Sequence, residues 1–266
     1  MGKKTLGILG GMGPLASLAF LQTIYEQNLG RSTEQDYPNT LLLSLSSVPD
    51  RTDSLLNNAG KALQEALVRN LSILNAAGVA KIVICCFTSH TLLDRLPKEV
   101  TGTVFSLVDM TARELLVRRE PSLLLASLGS YRGQVFASTE EAQKAKEFIV
   151  LPDEGDRRII HGLIYDSLKQ GKDVDAVYRA VRGLLAKYGL NSFIAGCTEF
   201  HILTRSMDAD ALNAIAFVDP LFTIARRLED ILDGRDPLRQ GAVPPSPRGA
   251  RSLDQEQEPV HVVRGY

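Results

Sequence analysis

Short apolar runs alternate with longer segments of helical periodicity through most of the chain. The runs predict strands at Thr5–Leu9, Thr40–Leu45, Lys81–Cys85, Thr103–Ser106, Ser122–Ser127, Ser192–Ala195 and Ala216–Val218. The periodic segments predict helices at Leu15–Leu29, Lys61–Ala77, Asp109–Arg119, Asp153–Gln170, Val174–Tyr188 and Leu221–Leu232. Short, continuously apolar strands joined by helices are typical of parallel sheets that are covered on both faces. The sequence therefore predicts an α/β fold.

The alternation of strands and helices starts afresh near residue 116, which indicates two similar subdomains, each with a parallel sheet flanked by helices. We assign residues 1–115 and 211–232 to the first and residues 116–210 to the second. Residues 233–266 are rich in Pro, Arg, Gln and Glu and predict a mobile C-terminal tail. Because ligands of such folds bind beyond the carboxyl ends of the strands, we expect the active site in the cleft between the subdomains.

Composition excludes several classes of partner. The 266 residues are 44% hydrophobic and 23% charged, with a formal net charge of −1, so no basic field predicts binding to nucleic acid. No apolar stretch approaches the 18 or so residues of a membrane span, and the first strand follows Met1 too closely to leave room for a signal peptide. Three cysteines do not form a disulfide framework. We expect a cytoplasmic protein that contacts neither nucleic acid nor membrane.

Two cysteines from different halves of the chain have the same surroundings. Cys86 and Cys197 each follow a predicted strand and precede a predicted helix, a position that favours the thiolate. Cysteines that face each other across a cleft can take a proton from one face of a carbon and return it to the other. Cys85 occupies an interior strand position, where a free cysteine is an ordinary core residue.

Other ionisable residues follow the two cysteines. His90 and His201 each come four positions later, one helical turn, so each could approach its thiol, although His201 equally suits a capping or solvated role. Glu199 would lie in a first helical turn, where an acid is favourable, and could also orient or deprotonate a neighbour. No C-x-x-C pair or histidine cluster predicts a metal site.

Three further features lie near strand ends. The turn Gly10–Pro14 begins a nominal G-x-G-x-x-A pattern, but the second strand lacks the acid that a dinucleotide site needs, so a turn whose N–H groups hold a carboxylate is the better interpretation. Arg51 follows the second strand, where its guanidinium suits a carboxylate. Spacing alone makes Lys169 no more than a charge at a helix C-terminus.

Taken together, these segments resemble the aspartate/glutamate racemase superfamily, and specifically its aspartate racemase branch. The segment Cys86–His90 resembles the family's C-N-T-A-H motif, and Gly196–Glu199 resembles its G-C-T-E. The remaining similar segments are Leu6–Ser17, Val48–Thr52, Ser127–Ser130, the surroundings of Lys169 and Val218–Asp219. The resemblance extends from about residue 5 to residue 232, and the paired cysteine motifs make it specific.

The resemblance implies a cofactor-independent amino-acid racemase, an isomerase that acts without pyridoxal phosphate on aspartate or glutamate as its small-molecule substrate. It assigns the two catalytic thiols to Cys86 and Cys197 and an auxiliary role to His90. It assigns substrate binding to Met12, Arg51, Thr88, Ser89, Ser127, Ser130, Lys169, Thr198 and Glu199. It also implies a homodimer. The two cations, Arg51 and Lys169, suit a substrate with two carboxylates.

One departure from the family pattern leaves alternatives open. Phe87 replaces the asparagine that follows the first cysteine in the family. Phenylalanine cannot form that side chain's hydrogen bond to a charged substrate, which is worth about 1.5–3 kcal/mol. A racemase or isomerase of a less polar substrate therefore stays an alternative, as does a non-catalytic binding protein on the same fold. Among superfamily relatives, arylmalonate decarboxylase uses a single cysteine, so the pair here weighs against that reaction.

Overall fold

The computed structural model of the chain describes residues 2–30, 33–57 and 60–238. Most of the predicted mobile tail, residues 239–266, lies outside the described residues. The start of that segment is attached to the body of the protein, since Lys4 pairs with Asp233 at 2.9 Å and Leu238 packs against the core. The mobility of the tail stays a prediction.

The described residues form two parallel four-stranded sheets with the same strand order. The first sheet contains β1 (Thr5–Gly10), β2 (Asn39–Ser44), β3 (Lys81–Ile84) and β4 (Val104–Phe105), in the order β2-β1-β3-β4. The second contains β5 (Ser122–Leu125), β6 (Ile149–Val150), β7 (Ser192–Ala195) and β8 (Ala216–Val218), in the order β6-β5-β7-β8. The predicted α/β class and the two similar sheets are confirmed.

Helices flank both sheets. The α-helices are α1 (Pro14–Glu26), α2 (Arg51–Leu56), α3 (Gly60–Ala76), α4 (Lys98–Thr101), α5 (Leu107–Arg118), α6 (Leu128–Arg132), α7 (Glu140–Lys144), α8 (Glu154–Gly162), α9 (Val174–Tyr188), α10 (Phe200–Ser206), α11 (Ala209–Ala214), α12 (Pro220–Arg226) and α13 (Leu228–Leu232). Short 3-10 helices occupy Glu34–Asp36, Thr88–Arg95, Val135–Ala137, Lys146–Phe148 and Leu168–Gln170. Local sequence explains several helix ends: Pro14 occupies the first turn of α1, and Asp173 caps α9, which ends at the left-handed Gly189.

Two elements differ from the prediction in ways that matter for the site. The predicted helix Asp153–Gln170 is interrupted, because α8 is followed by a π-helical turn at Leu163–Ser167 and then by a 3-10 turn. Helix α2 was not predicted at all. It begins because the Asp50 carboxylate accepts the backbone N–H of Asp53 at 2.9 Å, which is an N-cap.

The predicted subdomain boundary at residue 211 needs one correction. Strand β8 pairs with β7 in the second sheet, whereas the prediction placed residues 211–232 in the first subdomain. Helix α12, which follows β8, does pack against α1 and α5 of the first half. Residues 211–232 therefore contribute to both halves, and the rest of the division stays a prediction.

A single hydrophobic cluster joins the two sheets. It includes Ile8 and Val83 from the first sheet and Leu124 and Ile194 from the second, all of them buried. Burial of these shared side chains stabilises one arrangement of the two halves, so the loops at the strand ends have a defined relation to each other. Among the described residues, none of the helices is both long and apolar enough to cross a membrane.

Candidate active site

The two cysteine-containing loops lie against each other at the carboxyl ends of β3 and β7, which are interior strands of their sheets. The hydroxyl of Thr198 donates a 3.1 Å hydrogen bond to the carbonyl oxygen of Cys85, so the loop after β7 is bonded to the loop after β3. The Cys86 and Cys197 side chains are nearly buried, with 7% and 8% exposure. The structure therefore brings the two predicted thiols into one region.

Cys197 has a carboxylate as its hydrogen-bond partner. Its Sγ donates to Oε2 of Glu199 at 2.8 Å. Burial raises the pKa of this thiol well above its ordinary value, and the charges of Glu199 and Cys86 raise it further. The expectation that a helix N-terminus favours the thiolate is therefore wrong for Cys197. Helix α10 begins only at Phe200, and burial, followed by the adjacent Glu199 carboxylate, raises the pKa of the thiol.

Glu199 also approaches the glycine-rich turn. Its Oε1 is buried and has no hydrogen-bond partner among the described residues. A methyl group on Gly13 would collide with this oxygen, so a larger residue there would displace the Glu199 carboxylate. The carboxylate that lies against the predicted turn is thus one of the protein's own, next to Cys197.

Arg51 brings a buried cation close to the other thiol. Its guanidinium donates to the carbonyl oxygens of Pro49, at 3.2 Å, and of Met12. Burial alone would lower the pKa of Arg51, but the charges of Cys86 and Asp50 hold it above the ordinary value. Its Nε has no partner among the described residues. Arg51 therefore remains a cation with a free donor beside the first cysteine loop.

Lys169 lies beside the same region and is more than a charge at a helix end. Its Nζ is 3.8 Å from the Asp50 carboxylate and 3.6 Å from the centre of the Tyr165 ring. The Tyr165 hydroxyl in turn donates to Oδ2 of Asp50 at 2.9 Å, and its oxygen lies 3.1 Å from Oγ1 of Thr52, which can donate to it. This cluster joins α2 of the first half to the π-helical turn of the second.

Neither Asp50 nor Tyr165 was among the predicted substrate-binding residues. Burial raises the pKa of Asp50, but the Asp53 N–H, the Tyr165 hydroxyl and the two cations together bring it below the ordinary value. Two signals could have found these residues. Asp50 precedes Asp53 by the three positions of an N-capping pattern, and Tyr165 precedes Lys169 by one helical turn.

Hydroxyl groups form a second cluster beside the Cys86 loop. Oγ1 of Thr88 is 3.0 Å from Oγ of Ser127 and 2.9 Å from Oγ of Ser130. Helix α6 can approach this closely because Gly129 packs against Thr52 and Thr88, where a Cβ would lie 2.8 Å from the Thr52 backbone. Three of the five predicted hydroxyl side chains therefore belong to one network. Ser89 also contacts Met12, with its Oγ donating to Sδ at 3.4 Å.

The two histidines contact neighbours other than the thiols. The N–H of Leu107 donates to Nε2 of His90 at 3.2 Å, so Nδ1 carries the proton and donates to the Cys86 carbonyl oxygen at 3.0 Å. Burial lowers the pKa of His90 to about 4, which keeps the ring neutral at pH 7. His201 bonds Thr23 and Asp219. The expectation that each ring approaches its thiol is therefore wrong. The His90 ring bonds backbone groups, and the His201 ring bonds the side chains of Thr23 and Asp219.

Phe87 does not face the site. Its side chain is 1% exposed, and its ring packs on that of Phe136 with 5.3 Å between the centroids. The residue that replaces the family asparagine is therefore a core residue here. The sequence could not show this orientation, which depends on the loop conformation after β3.

Comparison with known proteins matches residues 9–228 to the Asp/Glu/Hydantoin racemase family. The chain belongs to that family. It is an isomerase of the racemase type, as the resemblance implied, and the resemblance to the aspartate/glutamate racemase superfamily is confirmed. Within the described residues, no group of three or more His, Cys, Asp or Glu side chains is arranged to hold a metal ion.

Several solved structures share the racemase fold. Aspartate racemase from Picrophilus torridus matches with a TM-score of 0.70 at 20% identity, covering 86% of this chain and 94% of that one. An aspartate racemase homologue from Pyrococcus horikoshii matches with a TM-score of 0.62 at 19% identity, covering 86% and 99%. Glutamate racemase from Francisella tularensis, in complex with D-glutamate, matches with a TM-score of 0.55 at 14% identity, covering 87% and 81%. At these identities the likeness concerns the fold alone.

Proposed function

We propose that the protein interconverts the L and D enantiomers of aspartate or glutamate without a cofactor, using Cys86 and Cys197 as the two proton-transferring groups. The observation that carries this proposal is the hydrogen bond from Thr198 to the Cys85 carbonyl, which joins the two cysteine loops. One thiolate would remove the α-proton, and the thiol on the other side would protonate the opposite face of the carbanion. The opposite enantiomer would use the same pair in reversed roles.

The charged groups beside the two sulfurs differ. Cys197 donates to a carboxylate, which favours the thiol, and the Arg51 cation lies close enough to interact with the charge of Cys86. We infer that Cys197 is the acid in the direction in which Cys86 removes the α-proton.

The cations support an acidic substrate. Arg51 and Lys169 flank Asp50, so a substrate carboxylate can take the place that Asp50 partly fills near Lys169. Placed cations also stabilise the negative charge that develops as the α-proton leaves. Met12, Thr88, Ser89, Ser127, Ser130, Thr198 and Glu199 complete the proposed binding residues, and His90 positions the Cys86 loop. A homodimer in the cytoplasm stays a prediction.

The burial of Phe87 weakens the argument for a less polar substrate, which was that Phe87 replaces the family asparagine in the site. Its ring is directed into the core, so it adds no apolar wall beside the cations. We therefore retain aspartate and glutamate as the proposed substrates.

The proposal is tested by incubating the protein in D2O with each enantiomer of aspartate, glutamate, alanine and phenylalanine, followed by chiral chromatography and mass spectrometry. The proposal predicts the opposite enantiomer of an acidic amino acid, with deuterium at Cα. Inversion of alanine or phenylalanine alone would contradict the acidic substrate. Exchange without inversion would contradict the two-sided site, and no exchange with any of them would favour a binding protein.

A further inference from the structure

A cavity of about 320 Å³ lies next to the proposed site. Its apolar lining includes Leu124, Val135, Phe136 and Ile149, and neither catalytic cysteine lines it. The volume is at the lower end of the range for small-molecule sites, which are typically apolar with a few placed polar groups. The cavity therefore adjoins the site that contains the two thiols and shares Ser130 with it.

The charged groups that line this cavity are both cationic. They are Lys146 and Arg157, and among the described residues neither forms an ion pair with a carboxylate. Arg157 is held in place, because its Nε donates to the Pro152 carbonyl at 2.8 Å and its Cζ lies 5.1 Å from the centre of the Tyr131 ring. Its terminal nitrogens remain as donors. Two such cations beside an apolar surface suit an anion with an apolar body.

The cavity wall is in contact with both cysteine loops. The Phe136 ring packs on Phe87, which directly follows Cys86. The same ring also packs against Gly196, which directly precedes Cys197. A Cβ on Gly196 would lie 3.2 Å from Cε2 of Phe136. A ligand that packs against Phe136 would therefore restrain the residues adjacent to both thiols. Ser130 gives a second connection, because it lines the cavity and hydrogen-bonds Thr88.

We propose that this cavity is an effector site for a small carboxylate with an aromatic or branched apolar body, and that its occupant restrains both cysteine loops through Phe136. The effect on turnover depends on the proposed racemase function. Binding and thiol reactivity do not, so they test the effector site even if the chain racemises nothing.

Benzoate is a suitable probe, with benzyl alcohol as the uncharged control. Binding is measured by protein-detected NMR, and reactivity by the rate at which iodoacetamide alkylates Cys86 and Cys197, followed by mass spectrometry. We expect benzoate to bind with a Kd of about 1 mM, as a ligand of this size allows, and to slow alkylation about fivefold, which is the low end of typical allosteric coupling. Benzyl alcohol should bind at least about tenfold more weakly.

The matched variants are Arg157→Gln and Arg158→Gln. Arg158 is the exposed neighbour, and it pairs with Glu154 away from the cavity. Arg157→Gln should weaken benzoate binding about tenfold, and Arg158→Gln should leave it unchanged. No binding of benzoate at about 10 mM, equal binding to both variants, or binding that leaves both alkylation rates unaltered would overturn the proposal.

Discussion

The Thr198 hydroxyl and the Cys85 carbonyl oxygen lie 3.1 Å apart, and their hydrogen bond joins the ends of the two parallel sheets. Both residues are next to a proposed catalytic cysteine. Racemisation through two thiols depends on the distance between them, because a misplacement of about 1 Å can lower a rate a hundredfold. This bond is therefore the contact whose removal should affect the chemistry most selectively.

Thr198→Val keeps the shape of the side chain and removes its donor. We expect a loss of about 1–3 kcal/mol in unfolding free energy, since the Cys85 carbonyl is left unsatisfied, and a fall in kcat of at least about tenfold. Thr111→Val is the control, because it removes a buried 2.8 Å hydrogen bond within α5. It should cost less stability, because the Leu107 carbonyl still accepts the backbone N–H of Thr111, and it should leave kcat unchanged. Equal kcat losses in both variants would argue against a specific role for Thr198.

Glu199→Gln removes the charge beside Cys197. Because the carboxylate raises the pKa of this thiol, the substitution should lower that pKa, although burial still keeps it above the ordinary value. Each unit of decrease raises the thiolate fraction about tenfold. Alkylation of Cys197 by iodoacetamide should therefore begin at lower pH, as shown by mass spectrometry across a pH series. An unaltered profile would mean that Glu199 does not control the Cys197 proton.

Tyr165→Phe removes the hydroxyl that bonds Asp50 and Thr52 and keeps the ring beneath Lys169. Asp50 then loses a stabilising partner, and the two cations lose their fixed geometry. We expect KM for the acidic substrate to rise about five- to tenfold, with a smaller change in kcat. Initial rates over a range of substrate concentrations measure both. Tyr178→Phe is the control, since its hydroxyl has no hydrogen-bond partner among the described residues; a similar rise in KM there would contradict the assignment.

Glu114 predicts a pH dependence of stability. Burial raises its pKa from 4.5 to about 7, against the lowering effects of Thr223 and Arg118. Because the folded state binds this proton more tightly than the unfolded state, its contribution is fully present below about pH 4.5 and is lost as pH rises through about 7. The loss is up to about 3 kcal/mol.

Urea unfolding at pH 5 and pH 8 measures this effect. The wild-type protein should lose more unfolding free energy between these values than Glu114→Gln, whose side chain stays neutral. Comparison with the variant removes contributions from other groups, including His90, whose lowered pKa of about 4 acts in the opposite direction. Identical losses in the two proteins would show that Glu114 does not titrate in this range.

Much of the fold could be predicted from the sequence, because its strands are short apolar runs bounded by turn residues. Strand β7 and helix α9 have the predicted bounds. The two-residue strand β6 was not predicted, since it directly follows the 3-10 helix Lys146–Phe148 with no turn residue between them. The π-helical turn within the predicted helix Asp153–Gln170 was also invisible, because helical periodicity continues through it.

The site was predictable only in part. The positions of Cys86 and Cys197 follow from the equivalent surroundings of two strand ends. The direction of a side chain in an irregular loop does not follow from the sequence. For that reason the packing of Phe87 in the core and the hydrogen bond from His90 to the Cys86 carbonyl were not predicted. The protonation of Cys197 depends on the Glu199 carboxylate, which only the folded loop brings to 2.8 Å.

The central claim is that two sulfur atoms act on opposite faces of one substrate carbon. It is tested most directly by measuring inversion of aspartate and glutamate by Cys86→Ser and by Cys197→Ser, each checked for native folding by circular dichroism. The account predicts that neither variant interconverts the enantiomers, because each lacks the acid or the base for one face. Full inversion by either variant would contradict it.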